Sequence, residues 1–73
     1  NSFLIKVLPD GCYSFDTSTK KNSIDTLINV LKKHRIEISE TIELKIHKKT
    51  KFKTVNQYLM VLKKANYTNI KHI

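Results

Sequence analysis

The chain has 73 residues, room for one small domain with a marginal core. Its formal charge is +8, from 14 Lys+Arg against 6 Asp+Glu, and 40% hydrophobic with 27% charged residues is a globular balance rather than that of a disordered tail. One Gly and one Pro exclude a glycine-rich phosphate loop, no run nears the roughly 18 apolar residues that cross a bilayer, and the single cysteine, Cys12, excludes an internal disulfide. The chain opens on Asn1 rather than Met and shows no signal-peptide pattern, so it reads as a piece of a longer protein.

Phe3–Leu8 is short, β-rich and alternating, with Phe3, Ile5 and Val7 on one face and Leu4, Lys6 and Leu8 on the other. Pro9-Asp10-Gly11 is a turn signal, proline fixing φ and glycine permitting positive φ. Cys12–Phe15 returns as a second strand with Tyr13 and Phe15 on one face, which predicts a β-hairpin. Asp16–Asn22 is polar and reads as a loop. Ser23 is a credible N-cap, and Ile24, Leu27, Ile28 and Leu31 follow at helical spacing, predicting a helix over Ser23–His34. Thr41–His47 alternates cleanly, Ile42, Leu44 and Ile46 against Glu43, Lys45 and His47, as a half-buried strand. A second helix begins near the basic stretch His47–Lys53, carries Val55, Tyr58, Leu59 and Leu62, and ends around Ala65-Asn66, where asparagine can take a left-handed cap. Thr68–Ile73 closes as a strand. The order β-β-α-β-α-β, with Val30 and Val61 flanking matching helical stripes, predicts an α+β two-layer sandwich: a mixed sheet with both helices on one face.

Catalytic patterns are absent. The acids Asp10, Asp16, Asp25, Glu37, Glu40 and Glu43 form no helical pair with a histidine, and His34, His47 and His72 are too widely spread for zinc-ligand spacing. Cys12 reads as a packing residue. The expectation is a non-enzyme with no metal and no cofactor. The positive charge is almost wholly lysine, since Arg35 is the lone arginine, and with abundant Ile and Asn it looks like an AT-rich coding bias. A nucleic-acid reader leans on arginine and presents aromatics on two adjacent strands, whereas Thr41–His47 has none, so a small nucleic-acid-binding αβ domain is an alternative resting on charge alone.

The pattern of elements resembles the periplasmic domain of the ExbD/TolR family, closer to ExbD, over nearly the whole chain. Its hairpin corresponds to Phe3–Leu8, Pro9-Asp10-Gly11 and Cys12–Phe15, its first helix to Ser23–Leu31, and the aromatic or valine opening its second helix to Phe52. The most specific match is Lys63-Lys64-Ala65-Asn66-Tyr67-Thr68-Asn69-Ile70, against Lys/His-x-Ala-Gly-Tyr-x-x-Ile in the family. Two positions depart: Asn66 stands where the family has glycine, and Ile46-His47 stands where it has alanine–aspartate. The resemblance implies a single-pass protein on the periplasmic side of the inner membrane of a Gram-negative bacterium. There it would act with an ExbB-like channel subunit as a proton-motive-force-driven motor that energises a TonB-like protein for outer-membrane uptake of iron complexes and vitamins. The proton-carrying aspartate of such motors lies in a transmembrane helix outside these residues. A TolR-like role contacting peptidoglycan shares the fold.

Within that resemblance the domain is expected to dimerise and bind protein. Tyr67, Asn69, Ile70, Lys71, His72 and Ile73 form the candidate edge for a partner or a second copy, since edge strands invite pairing. Lys48, Lys49, Lys51 and Lys53 are a candidate anion contact at the start of the second helix, with a solvated lysine-rich loop as the bland alternative. Met60 lies off the apolar stripe of that helix as a candidate exposed contact.

Overall fold

Alternation in the first segment builds β1 (Ser2–Val7), in which Ile5 and Val7 are fully buried while Leu4 and Lys6 point to the other face. The computed structural model describes residues 2–15 and 17–73; Asp16, the expected first residue of the loop after the hairpin, lies outside them. β2 (Tyr13–Phe15) pairs antiparallel with β1 in the register Val7↔Tyr13 and Ile5↔Phe15. The connection is a type of hairpin loop that needs a left-handed residue: Gly11 donates its N–H to the Leu8 carbonyl at 3.0 Å, sits at φ 89°, and is followed by a Leu8 N–H to Cys12 carbonyl bond of 2.9 Å. The strand starts one residue later than Cys12 because the Cys12 N–H is taken by the Asp10 carboxylate at 3.0 Å, a local turn that competes with the ladder.

The first helix is split. Ser23 caps it as expected, its hydroxyl accepting from the Asp25 N–H, but Ile24–Thr26 is a 3-10 turn and α1 proper runs Leu27–Lys33. Thr26 explains the tightening: its Oγ1 bonds back to the Ser23 carbonyl at 2.7 Å and its N–H takes the same carbonyl at 3.0 Å. β3 (Thr41–Ile46) buries Ile42 and Leu44, α2 (Phe52–Lys64) buries Tyr58 and Leu62, and β4 (Ile70–His72) closes the sheet. β4 is shorter than Thr68–Ile73 at its start because the Ile70 N–H folds back onto the Thr68 carbonyl at 3.1 Å.

The sheet order is β2-β1-β3-β4, with β1–β3 and β3–β4 parallel. Both parallel crossovers step across the sheet in the same direction, and the right-handed rule then puts both helices on one face. Packing agrees: Leu27, Leu31, Tyr58 and Leu62 form a single core cluster with Ile5, Val7, Tyr13, Ile42 and Leu44. The expected α+β mixed sheet with two helices is the observed architecture.

Both helices end in the same way. Arg35 (φ 58°) and Asn66 (φ 70°) are left-handed, and the residues after them, Ile36 and Tyr67, donate their N–H groups back to Leu31 and Leu62 at 2.9 Å each. This is the Schellman stop, in which the chain reverses and the next apolar residue drops into the core. The asparagine expected as a left-handed cap serves as one; the arginine doing the same carries a side-chain penalty that glycine avoids.

All three tyrosines are buried with their hydroxyls bonded to distant loops. Tyr58 donates to the Gly11 carbonyl and Tyr67 to the Ile36 carbonyl, each at 2.7 Å, and Tyr13 shares a 2.9 Å bond with Thr26 Oγ1. Burial raises the pKa of each phenol above the ordinary tyrosine value near 10, most strongly for Tyr58.

Two predictions follow from the fold. The folded state favours the un-ionised phenols, so their contribution is fully present below the unfolded value near pH 10 and is lost as pH rises through the raised folded values. Urea midpoints should therefore be flat from pH 7 to 9 and drop above pH 10, with a shallower drop in Tyr58→Phe, which should itself cost about 1 kcal/mol at pH 7 through the lost bond to Gly11. Arg35→Gly should stabilise by roughly 0.5–1 kcal/mol in the same measurement, by relieving the left-handed arginine.

Candidate functional surfaces

β4 is the uncovered edge of the described sheet, with β3 its sole strand neighbour. Its alternation can be assigned from the flanking bonds: the Asn69 carbonyl accepts from the Ile42 N–H at 2.7 Å and the Ile73 N–H donates to the Leu44 carbonyl at 3.0 Å. In a parallel pair every second residue directs both backbone groups to its neighbour, so Asn69, Lys71 and Ile73 face β3, and Ile70 and His72 turn theirs outward. With the Ile70 N–H held by Thr68, the outward groups on offer are the Ile70 carbonyl and the N–H and carbonyl of His72. Lys71, on the helix-free face, and His72, on the opposite one, are exposed; Ile70 is half-buried and Ile73 is 62% exposed.

Tyr67 does not belong with them. At 2% exposure it is a core residue, because the Schellman reversal at Asn66 turns it inward and its hydroxyl is spent on Ile36. Asn69 contributes structurally too, its side-chain amide donating to the Ser39 carbonyl at 3.1 Å. These two bonds tie the loop before β3 to the loop before β4 and so hold the edge in place.

Lys48, Lys49, Lys51 and Lys53 are all exposed. Lys51 is the N-cap residue of α2 with extended backbone (φ −70°, ψ 147°) and no side-chain cap bond, so the helix begins at Phe52, late in the basic stretch. The four lysines do not converge with one another alone. Lys48 instead lies beside lysines from the strands: Lys6 and Lys45 are register partners on the helix-free face of β1 and β3, and with Lys48, His47, Val7, Leu8 and Ile46 they line a groove of about 360 Å³. Its wall is fixed by the Val7 carbonyl, which accepts from the His47 N–H at 3.0 Å and the Thr50 hydroxyl at 3.4 Å. His47 Nδ1 accepts from the Lys49 N–H at 3.1 Å, which leaves Nε2 as the ring's donor. The sequence carried a signal for this grouping. Ile5-Lys6-Val7 and Leu44-Lys45-Ile46 are the same apolar-lysine-apolar triplet, and the register lays one against the other residue for residue.

The remaining candidates are scattered. His34 meets Phe15 edge-on at 6.1 Å, His47 sits in the β3–α2 loop and His72 on the edge, and among the described residues no three His, Cys, Asp or Glu side chains could together hold a metal ion. Cys12 is half-buried in the hairpin loop. Tyr13 and Phe15 share a face, as read from the sequence, and it is the helix-bearing one: Tyr13 is fully buried against Phe15 at 5.4 Å and Tyr58 at 6.2 Å. Met60 is 70% exposed, beside Ile24, Gln57 and Val61. No helix among the described residues is long and apolar enough to cross a membrane. No family model matches the chain, and no curated protein matches it.

Neighbouring like charges on a sheet face repel, and Lys6 against Lys45 is such a pair. Lys45→Glu should therefore raise stability by roughly 0.2–1 kcal/mol at low salt, a gain that shrinks as salt is added and is read from urea midpoints at two ionic strengths.

Proposed function

We propose that the chain is a non-enzymatic binding module, the periplasmic domain of an ExbD-like subunit that couples an ExbB-like channel to a TonB-like protein. The part it would play here is strand pairing along β4, with a second copy or with an extended segment of the TonB-like partner. What supports the reading is one segment. Asn66 holds φ 70° at the position where the resembling family carries glycine, Tyr67 after it is buried, and the strand they deliver is a sheet edge with free backbone groups at Ile70 and His72. Backbone pairing gives such an edge affinity, and exposed Lys71, His72 and Ile73 supply side chains for selectivity.

The test separates the edge from the rest of the fold. His72→Pro removes an outward N–H while leaving the bonds of Asn69, Lys71 and Ile73 to β3 in place. Pull-down of a TonB-like periplasmic fragment and the dimer fraction in sedimentation velocity should both fall about tenfold or more in His72→Pro, with an unchanged circular-dichroism spectrum, and likewise on removal of Lys71–Ile73, which takes away most of β4. Unchanged pull-down and sedimentation in both variants would refute the reading.

A further inference from the structure

The chain leaves the two central strands in opposite directions. β1 hands over to β2 on one side, and β3 hands over through α2 to β4 on the other. Where connections diverge from the carboxyl ends of adjacent parallel strands, the backbone opens a crevice, and open αβ sheets take their ligands there. In this chain that crevice is the groove beside Lys6, Lys45 and Lys48, and its 360 Å³ falls in the range of about 300–1,000 Å³ common to small-molecule pockets.

Its chemistry is one-sided. Three lysines and His47 line it, no described carboxylate does, and its surface is almost entirely carbon, the lysine stems included, with Leu8 and Ile46 among the apolar residues. The ion pair among the described residues, Lys21 with Asp10 at 3.0 Å, lies outside the groove. Lys6 reaches only a backbone carbonyl, that of Ser18, at 3.4 Å. A purely polar anion would leave the carbon surface uncovered, and a neutral hydrocarbon would leave the ammonium groups uncompensated.

We propose that this groove binds a small amphipathic anion, a carboxylate on an alkyl chain, with Lys45 and Lys48 on the carboxylate and the chain along Leu8 and Ile46. Decanoate, a carboxylate on a straight alkyl chain, has this chemistry. Because the Val7 carbonyl already fixes the loop through His47 and Thr50, the ordering that binding requires falls on the lysine side chains rather than on the backbone.

The test is a titration of the ¹⁵N-labelled 73-residue chain with decanoate below its micelle concentration, followed by amide chemical shifts. Saturable changes are expected at Val7, Leu8, Ile46, His47 and Lys48, weakened about tenfold in Lys45→Gln/Lys48→Gln at a melting temperature no lower than the parent's. Lys63→Gln/Lys64→Gln, at the far end of α2, should bind as the parent does, and 1-decanol and acetate should each bind about tenfold more weakly than decanoate. Shifts spread evenly over the lysines, equal binding of decanol, displacement of decanoate by a glutamate-rich peptide at lower concentration, or no saturable shift at millimolar decanoate would each overturn the assignment.

Discussion

The parallel pairing of β1 with β3 is the constraint on which every other element leans. Six residues on each side lie in register, from Ser2↔Thr41 to Val7↔Ile46, and the central apolar partners Ile5 and Leu44 are both fully buried. A parallel pair cannot close locally; the chain must run through the hairpin, the loop and α1 before the second strand arrives. Once it does, β2 lies between β1 and the single bridge from Tyr13 to Asn22, β4 has β3 as its strand neighbour, and both helices have one apolar face to cover. Burying a Leu, Ile or Val contributes about 1.5–3 kcal/mol, against a net stability of about 5–15 kcal/mol for a typical domain. In a chain this small, each of the buried residues of the pair, Ile5, Val7, Ile42 and Leu44, therefore carries a large share of the fold.

A core of ten buried apolar or aromatic residues leaves little surplus to immobilise loops, and the tyrosine hydroxyls meet that need. Each reaches out of the core to a segment that would otherwise move: Tyr58 to the hairpin turn at Gly11, Tyr13 to the 3-10 turn at Thr26, Tyr67 to the start of the α1–β3 loop at Ile36. The rings supply burial and the hydroxyls supply direction, which leucine at the same positions could not do. The Tyr67 bond also joins the two Schellman reversals, since Ile36 and Tyr67 are the residues that follow the left-handed Arg35 and Asn66. The two helix-to-strand passages are thus built alike and tied to each other.

Much of this was legible in the sequence because it depends on period and turn chemistry. The alternation of Phe3–Leu8 and Thr41–His47, the helical spacing of Leu27 and Leu31 and of Tyr58 and Leu62, the Pro9-Asp10-Gly11 turn and the left-handed Asn66 all read directly. What did not read was where a backbone reversal sends the next residue, and what a side chain's polar end bonds. Tyr67 looked like a neighbour of the exposed edge because it precedes β4, but its inward turn is a consequence of backbone reversal at Asn66. Thr26 fits a helical pattern, and only its bond back to Ser23 makes that turn 3-10. The left-handed Arg35 carries no signal at all, since no residue preference points to arginine there.

The lysines show the same division between composition and placement. A coding bias accounts for how many there are; it does not account for where they fall. Parallel register sets Lys6 beside Lys45 near the carboxyl ends of β1 and β3, and the turn into α2 adds Lys48. Glu37, Glu40 and Glu43 lie toward the amino end of β3, with Glu43 bonded by the Ser2 hydroxyl and the Glu40 carboxylate accepting from the Glu37 N–H. Charge is thereby separated along the strand direction, although the sequence mixes it. The β4 edge and the lysine-lined groove then have a common origin in the sheet order. One marks where strand addition stops, the other where the two central strands send their connections apart, and both are built outward from the β1–β3 register.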